Sequence, residues 1–241
     1  MSILVTICAR GGSKGIPHKN IKPLAGRPLI DYSIKIANDL QIRLKDVIVE
    51  LSTDDPEIIS ISRKLGLNTN YVRPEFLATD TAGKVDAIKD LLHYSEKLYL
   101  TKFDLVLDLD VSSPLRTVND ILEAIEIFNK KPESLTLFSV NNANKNPYFN
   151  MVEENSFGYY DLSKKIDKTT LSRQSAPKVY ELNASFYLYN REFFNLNQSG
   201  VITDKSLIYE IKHICFDLDH KIDFDFLEFL ITNQKLDFDL S

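Results

Sequence analysis

Only two of the 241 residues are cysteine, Cys8 and Cys215. They form neither a metal-ligand spacing nor a disulfide framework, which excludes a disulfide-stapled scaffold and suits a reducing cytoplasm, with both thiols as packing groups. Long apolar runs are missing as well: none approaches the roughly 20 residues of a membrane helix, and the opening MSILVTICA carries no basic leader or cleavage-like site. Nor is there an excess of positive charge. The 29 Lys and Arg stand against 34 Asp and Glu, a net charge of −5, which argues against the broad cationic surface of non-specific nucleic-acid binding. No repeat, low-complexity tract or linker divides the chain. The expectation is one soluble, cytoplasmic α/β domain over residues 1–241.

What the sequence does have is alternation of strand and helix. Ile3 to Cys8 is a continuous apolar run, the pattern of a strand covered on both faces, as in a parallel sheet. Leu29, Tyr32, Ile36 and Leu40 then make a helical stripe after Pro28. Val47 to Leu51, Pro56 at a helix start and Gly66 as a stop repeat the theme. Val106, Leu107 and Leu109, followed by the capping box Thr117-x-x-Asp120, make a third unit. Such a rhythm predicts a Rossmann-like, mostly parallel sheet between helical layers. From SLTLFSV onward, tyrosine- and phenylalanine-rich segments follow without helices between them. They predict an antiparallel excursion over about 141–190 that covers the active site, forms a dimer interface or packs on its own core.

The first strand runs into ARGGSKGIPHKN, residues 9–20. In an open parallel sheet ligands collect outside the carboxyl ends of strands. Gly11, Gly12 and Gly15 leave room for backbone N–H groups to converge on an anion, and Arg10, Lys14 and Lys19 add positive charge. The combination is phosphate-binding chemistry, although neither the P-loop pattern nor Gly-x-Gly-x-x-Gly is present.

The same stretch resembles the N-terminal motif of the acylneuraminate cytidylyltransferases. Further similar blocks follow in order: STD at 52–54, RPEFLATDTA at 73–82, SSPLR at 112–116, RQSAPKVYELNASFY at 173–187 and IDFDFLEF at 222–229. The resemblance implies a nucleotide-diphospho-sugar transferase type of fold, transfer of CMP from CTP to a nonulosonic acid with release of pyrophosphate, Mg²⁺, and a homodimer. It implies a nucleotide site at Ala9, Arg10, Gly11, Ser13, Lys14, Lys19, Asn20, Arg73 and Ala82, with Lys14 and Lys19 neutralising the leaving group. Arg173 matches an arginine near the family's active site and is expected to bind substrate or act in catalysis. Asn183 matches a family asparagine that fixes the sugar; a turn or strand-end hydrogen bond is the equal alternative.

Two residues depart from the sialic acid pattern. Lys84, which falls among the nucleotide-binding positions, stands where a small polar residue is usual. Asp110, in DVSSPLR, stands where glutamine is usual, and a carboxylate there changes which sugar groups are accepted. The blocks LDLDVSSPLR, NKNPYFNMVE and RQSAPKVYELNAS resemble the branch acting on diacetamido acids such as legionaminic acid; N-acetylneuraminate, pseudaminate and Kdo are the alternatives. In KIDFDFLEF, alternation in an extended segment puts Asp223 and Asp225 on one face, a pair suited to Mg²⁺. Asp225-x-x-Glu228 alternatively starts a helix, with Asp223 merely exposed. His18, His93, His213 and His220 are too scattered to form a site. A rival from another class is a nucleotide-binding module without catalysis.

Overall fold

The computed structural model describes residues 1–166, 173–196, 198 and 200–240. Its elements run β1 (Ile3–Cys8), β2 (Pro23–Leu24), β3 (Arg27–Pro28), α1 (Leu29–Arg43), β4 (Val47–Ser52), α2 (Pro56–Lys64), α3 (Lys84–Leu98), β5 (Leu105–Asp110) and α4 (Val118–Asn129). They continue with β6 (Thr136–Asn142), β7 (Val152–Glu154), β8 (Tyr160–Leu162), β9 (Tyr180–Asn190), β10 (Ser206–Glu210) and α5 (Lys221–Thr232).

The main sheet has the order β10-β6-β9-β5-β1-β4. Pairs β1–β4, β1–β5 and β6–β10 are parallel, and β9 alone runs against its neighbours β5 and β6. The fold is therefore the Rossmann-like α/β/α arrangement with a mostly parallel sheet. Strand alternation divides the core. Ile3, Val5 and Ile7 of β1 face a large cluster that includes Leu29, Ile36 and Leu40 of α1, Ile121 of α4 and Leu227 of α5. Leu4 points the other way, onto Ile88 and Leu92 of α3 and Tyr189 of β9. Each such fully buried aliphatic side chain contributes about 1.5–3 kcal/mol of burial free energy.

The helix ends follow local chemistry. The carboxylate of Asp55 accepts from the N–H groups of Glu57 and Ile58 ahead of Pro56, and Gly66 takes φ 91 just past the end of α2. Thr117 and Asp120 complete the expected capping box of α4.

The antiparallel excursion is narrower than the expected 141–190. Its last part is β9, a central strand of the main sheet; among the described residues of the stretch, β7 and β8 alone form a separate two-stranded sheet. The alternating aromatic pattern of KVYELNASFYLYN marks a strand buried between two others, so tertiary position and not composition separates it from the hairpin. Residues 167–172 of that stretch lie outside the described residues. Among the described residues no helix is long and apolar enough to cross a membrane.

Candidate active site

The carboxyl ends of β1 and β5 open into a cleft of about 410 Å³, at the edge of the sheet where ligands of such folds collect. Five cationic side chains line it, Arg10, Lys14, Lys19, Arg73 and Lys84, against the carboxylates of Asp80, Asp110 and Asp219. Ser13, Asn20 and Ala82 line it too, so most of the expected nucleotide residues converge although they are spread over residues 10–84.

The loop after β1 is held from several sides. Asn20 Nδ2 donates to the Arg10 carbonyl at 2.9 Å, which folds the basic stretch back on itself. Arg10 Nη1 donates to Asp80 Oδ1 at 2.7 Å, and Lys14 pairs with the other oxygen of the same carboxylate. Both cations hold the Asp80 carboxyl below its ordinary range. Asp80, which the sequence reading passed over, thus provides the anion around which two of the expected phosphate-binding cations gather. Arg73 is buried, with Nε on Ser52 Oγ at 2.9 Å and Nη2 on the Ser52 carbonyl at 2.8 Å.

Ala9 and Gly11 do not face the cleft as expected. Ala9 is buried and its N–H extends the sheet to the Ser52 carbonyl at 2.9 Å. The Gly11 N–H donates to Asp54 Oδ1 at 3.1 Å, and a Cβ on Gly11 would sit 2.7 Å from Asp55 Oδ2. These glycine-loop amides are committed to β4 and the start of α2. A strand-end carboxylate competed for an N–H that sequence alone left free.

On the α3 face of the sheet the parallel register sets Thr6 beside Asp108 and Cys8 beside Asp110. Lys84, the first residue of α3, reaches down between them, its Nζ 2.6 Å from Asp108 Oδ2 and 2.6 Å from Asp110 Oδ2. Burial by itself would lower the lysine pKa; the two carboxylates outweigh it and raise it well above the ordinary value. Against its own burial, Asp110 is held at about 2 by Lys84 and by hydrogen bonds from Ser112. Cys8 is pushed up to about 12 by burial and by Asp108, so it is a neutral thiol here and no nucleophile. Lys84 lines the cleft as expected, with its charge spent on the protein.

Asp223 and Asp225 require a correction. The segment is helical, not extended, and two residues apart on a helix is about 200° of rotation, so the carboxylates diverge. Asp223 Oδ2 accepts from the N–H groups of His220 and Asp219, at 2.7 and 3.1 Å, and caps α5. Asp225 pairs with Lys221 at 2.5 Å on the outer surface. The extended piece that the alternation argument needs lies just upstream, in FDLDH. There Asp219 lines the cleft, and Asp217 keeps a buried Oδ1 without a hydrogen-bond partner among the described residues. Burial, with repulsion from Asp110 and Asp219, pushes the Asp217 carboxyl up to about 7. Lys19 is tied to this segment, its Nζ donating to the Leu218 carbonyl at 2.9 Å and lying 3.9 Å from Asp219 Oδ1. The signal was present in sequence as a second Asp-x-Asp a few residues earlier.

Asn183 is 3% exposed and its amide is committed to the sheet. Oδ1 accepts from Ser139 Oγ at 2.6 Å and Nδ2 donates to Asn141 Oδ1 at 2.9 Å, where the β6–β9 register slips. The strand hydrogen-bond alternative therefore holds for this residue. Arg173 begins a 3-10 turn, Arg173–Ser175; its side chain lies outside the described residues. Arg116, fully buried, donates from Nη1 to the carbonyls of Asp110, Ser113 and Ser185 at 2.7–2.9 Å and shapes the loop after β5.

A cation-lined loop after the first strand, at the carboxyl edge of a Rossmann-like sheet, defines a site for a phosphate-bearing ligand. The chain belongs to the cytidylyltransferase family, whose profile matches residues 4–234. It is 39% identical over 234 residues to post-translational flagellin modification protein B of Campylobacter coli, with 97% of both chains covered. It is 38% identical over 235 residues to CMP-N,N'-diacetyllegionaminic acid synthase of Campylobacter jejuni, again covering 97% of each. Among solved structures, the CMP:2-keto-3-deoxy-manno-octonic acid synthetase complexed with CTP superposes with a TM-score of 0.69 over 97% of this chain and 100% of the other; identity is 14%, so that likeness speaks for the fold.

Proposed function

We propose that the protein transfers CMP from CTP to the anomeric hydroxyl of a nonulosonic acid of the diacetamido, legionaminic type. The new bond joins that oxygen to the α-phosphorus, the bond to the β-phosphate bridge breaks, and pyrophosphate leaves with release of the hydroxyl proton. The observation that carries the reading is the polarity of the cleft: Arg10, Lys14 and Lys19 on one loop, with Asp219 on the segment packed against it. CTP brings about four negative charges, and catalysis of phosphoryl transfer is mainly positioning and charge stabilisation. The identity to the C. jejuni synthase over 97% of both chains supports the diacetamido acceptor.

Mg²⁺ usually takes one or two carboxylates and completes its shell with phosphate oxygens and water. Asp217, with a buried oxygen that has no hydrogen-bond partner among the described residues, and Asp219, on the cleft wall, fit that demand. When bound there the ion supplies charge stabilisation at the α-phosphate. Lys19, tethered to the same segment, orients the phosphates against it, and Arg73 and Ala82 form the wall for the cytidine. Arg173 is assigned to the sugar acid.

The β7–β8 hairpin exposes Met151, Val152, Phe157, Tyr159 and Tyr160, more apolar surface than so small an element leaves in water when alone. A homodimer that buries it is the partner arrangement proposed, for an enzyme working in the cytoplasm.

Pyrophosphate release from CTP, measured across a panel of nonulosonic acids with and without Mg²⁺, tests the reading. Release with the diacetamido acid and Mg²⁺ together is expected. Release with N-acetylneuraminate, pseudaminate or Kdo alone would move the acceptor, and silence with all of them would favour a binding module.

A further inference from the structure

Asp108 and Asp110 are two residues apart at the end of β5, so their carboxylates emerge on the same face of the sheet. Two convergent carboxylates beside a triphosphate site are an arrangement a divalent cation takes readily. Here a protein side chain stands between them. Lys84 Nζ lies 2.6 Å from an oxygen of each. The remaining oxygens are also engaged: Asp108 Oδ1 accepts from Thr6 Oγ1 at 2.8 Å, and Asp110 Oδ1 accepts from Ser112 N at 2.8 Å and Ser112 Oγ at 2.7 Å.

We propose that the Lys84 ammonium is a resident cation that fills the Asp108–Asp110 pair and confines exchangeable divalent metal to the Asp217–Asp219 side of the cleft. The inference rests on the reading of the cleft as a Mg²⁺-dependent site. It concerns how many ions that site holds and which carboxylates hold them.

Three features keep the lysine in place. It opens α3, whose Ile88 and Leu92 are locked in the core against Leu4 and Val106. Its Nζ lies 5.2 Å from the ring centroid of Tyr187, the residue opposite Asp108 on β9, a cation–π contact that restrains the side chain. Asp108 is 0% exposed, so leaving it without a countercharge carries the large penalty of an unpaired buried charge. The lysine stays protonated and Asp110 ionised throughout the neutral range, because each holds the other charged. An ammonium differs from Mg²⁺ in two ways that matter: it cannot dissociate, and it offers no open coordination position to phosphate. The β5 carboxylates thus serve as a fixed floor, and metal chemistry is left to the segment before α5.

Counting bound Mn²⁺ by electron paramagnetic resonance, without nucleotide, tests this on wild type, Lys84→Ser and the double variant Lys84→Ser/Asp110→Asn. Lys84→Ser is expected to bind one more Mn²⁺ per chain than wild type, and the double variant to return to the wild-type number. A folded Lys84→Ser with an unchanged count overturns the proposal. Anomalous scattering from a Mn²⁺-soaked wild-type crystal decides the matter even if the variant does not fold. Absence of a peak between Asp108 and Asp110 supports the proposal, and a peak there overturns it. A missing peak at Asp217 and Asp219, with the gain in Lys84→Ser intact, removes the magnesium site assigned there and with it the confinement of metal to that side, and leaves Lys84 as the cation of the Asp108–Asp110 pair.

Discussion

Gly15 lies against the backbone of Asp219: a Cβ on the glycine would collide with the Asp219 carbonyl oxygen. The basic loop and the acidic segment therefore meet main chain to main chain, and the spacing between the cations proposed for phosphate and the carboxylates proposed for metal is set there. Gly15→Ala must push the two apart. It is expected to destabilise by about 1–3 kcal/mol and to lower kcat/KM for CTP roughly 10- to 100-fold, the scale on which misplaced catalytic groups act. Gly12 faces open space, so Gly12→Ala is the control, with a melting temperature close to wild type.

The two acidic motifs separate by their effects. Asp223→Asn weakens the cap of α5 and should cost about 1 kcal/mol of stability with turnover nearly kept. Asp219→Asn should do the reverse, dropping turnover at least 100-fold with little change in melting. Asp225→Asn, in an exposed pair, should change stability by less than about 1 kcal/mol. Thermal melts beside pyrophosphate-release rates on the three variants distinguish them; equal activity loss in Asp223→Asn and Asp219→Asn would contradict the assignment.

Asp80 holds Arg10 and Lys14, the two cations proposed to meet the triphosphate. Asp80→Asn removes that negative charge, so KM for CTP should fall several-fold at low salt and pyrophosphate should inhibit more strongly. Because these charges are exposed, the difference should shrink as ionic strength rises. Initial rates at two salt concentrations check both statements.

Stability should respond to pH through His213. Burial opposes its protonation, but the hydrogen bond to Asp120 at 3.0 Å, the Ile214 carbonyl and nearby Asp237 outweigh that and raise its pKa. A raised pKa means the folded state binds the proton more tightly. The stabilisation is complete below the unfolded value near 6.5 and is lost as pH rises through the folded one. Phe238 stacks on the ring at 3.8 Å, so the C-terminal segment shares the effect. Melting temperature should decline from pH 6 to pH 8 more steeply in wild type than in His213→Gln.

Asn183→Ala leaves Ser139, Asn141 and the Ser185 N–H short of a partner. A loss of about 1–3 kcal/mol is expected, with KM for the sugar acid unchanged. A selective rise in that KM would return Asn183 to the substrate site.

Much of this was legible in the chain. The buried run Ile3–Cys8, the stripe on α1 and the Thr117–Asp120 box are local patterns, and local patterns survive into the fold because neighbours in sequence remain neighbours in space. The same alternation rule failed at Asp223 and Asp225, because it presumes an extended backbone and the helix had already begun at Lys221. Lys84 and Asp110 read as two unrelated departures from a family pattern. They are one ion pair, invisible in sequence because its halves are 26 residues apart and sit on different elements.

By itself, the sequence determined the class of this protein: an alternating α/β chain whose first strand ends in a basic, glycine-rich loop, with six blocks in order. Periodicity and motif spacing are short-range properties that any fold must respect. Only the tertiary structure decided which charges act and which are spent. Whether a carboxylate meets a metal, an N–H or a lysine depends on what the other strands and helices bring to within about 3 Å of it, and no local pattern carries that information.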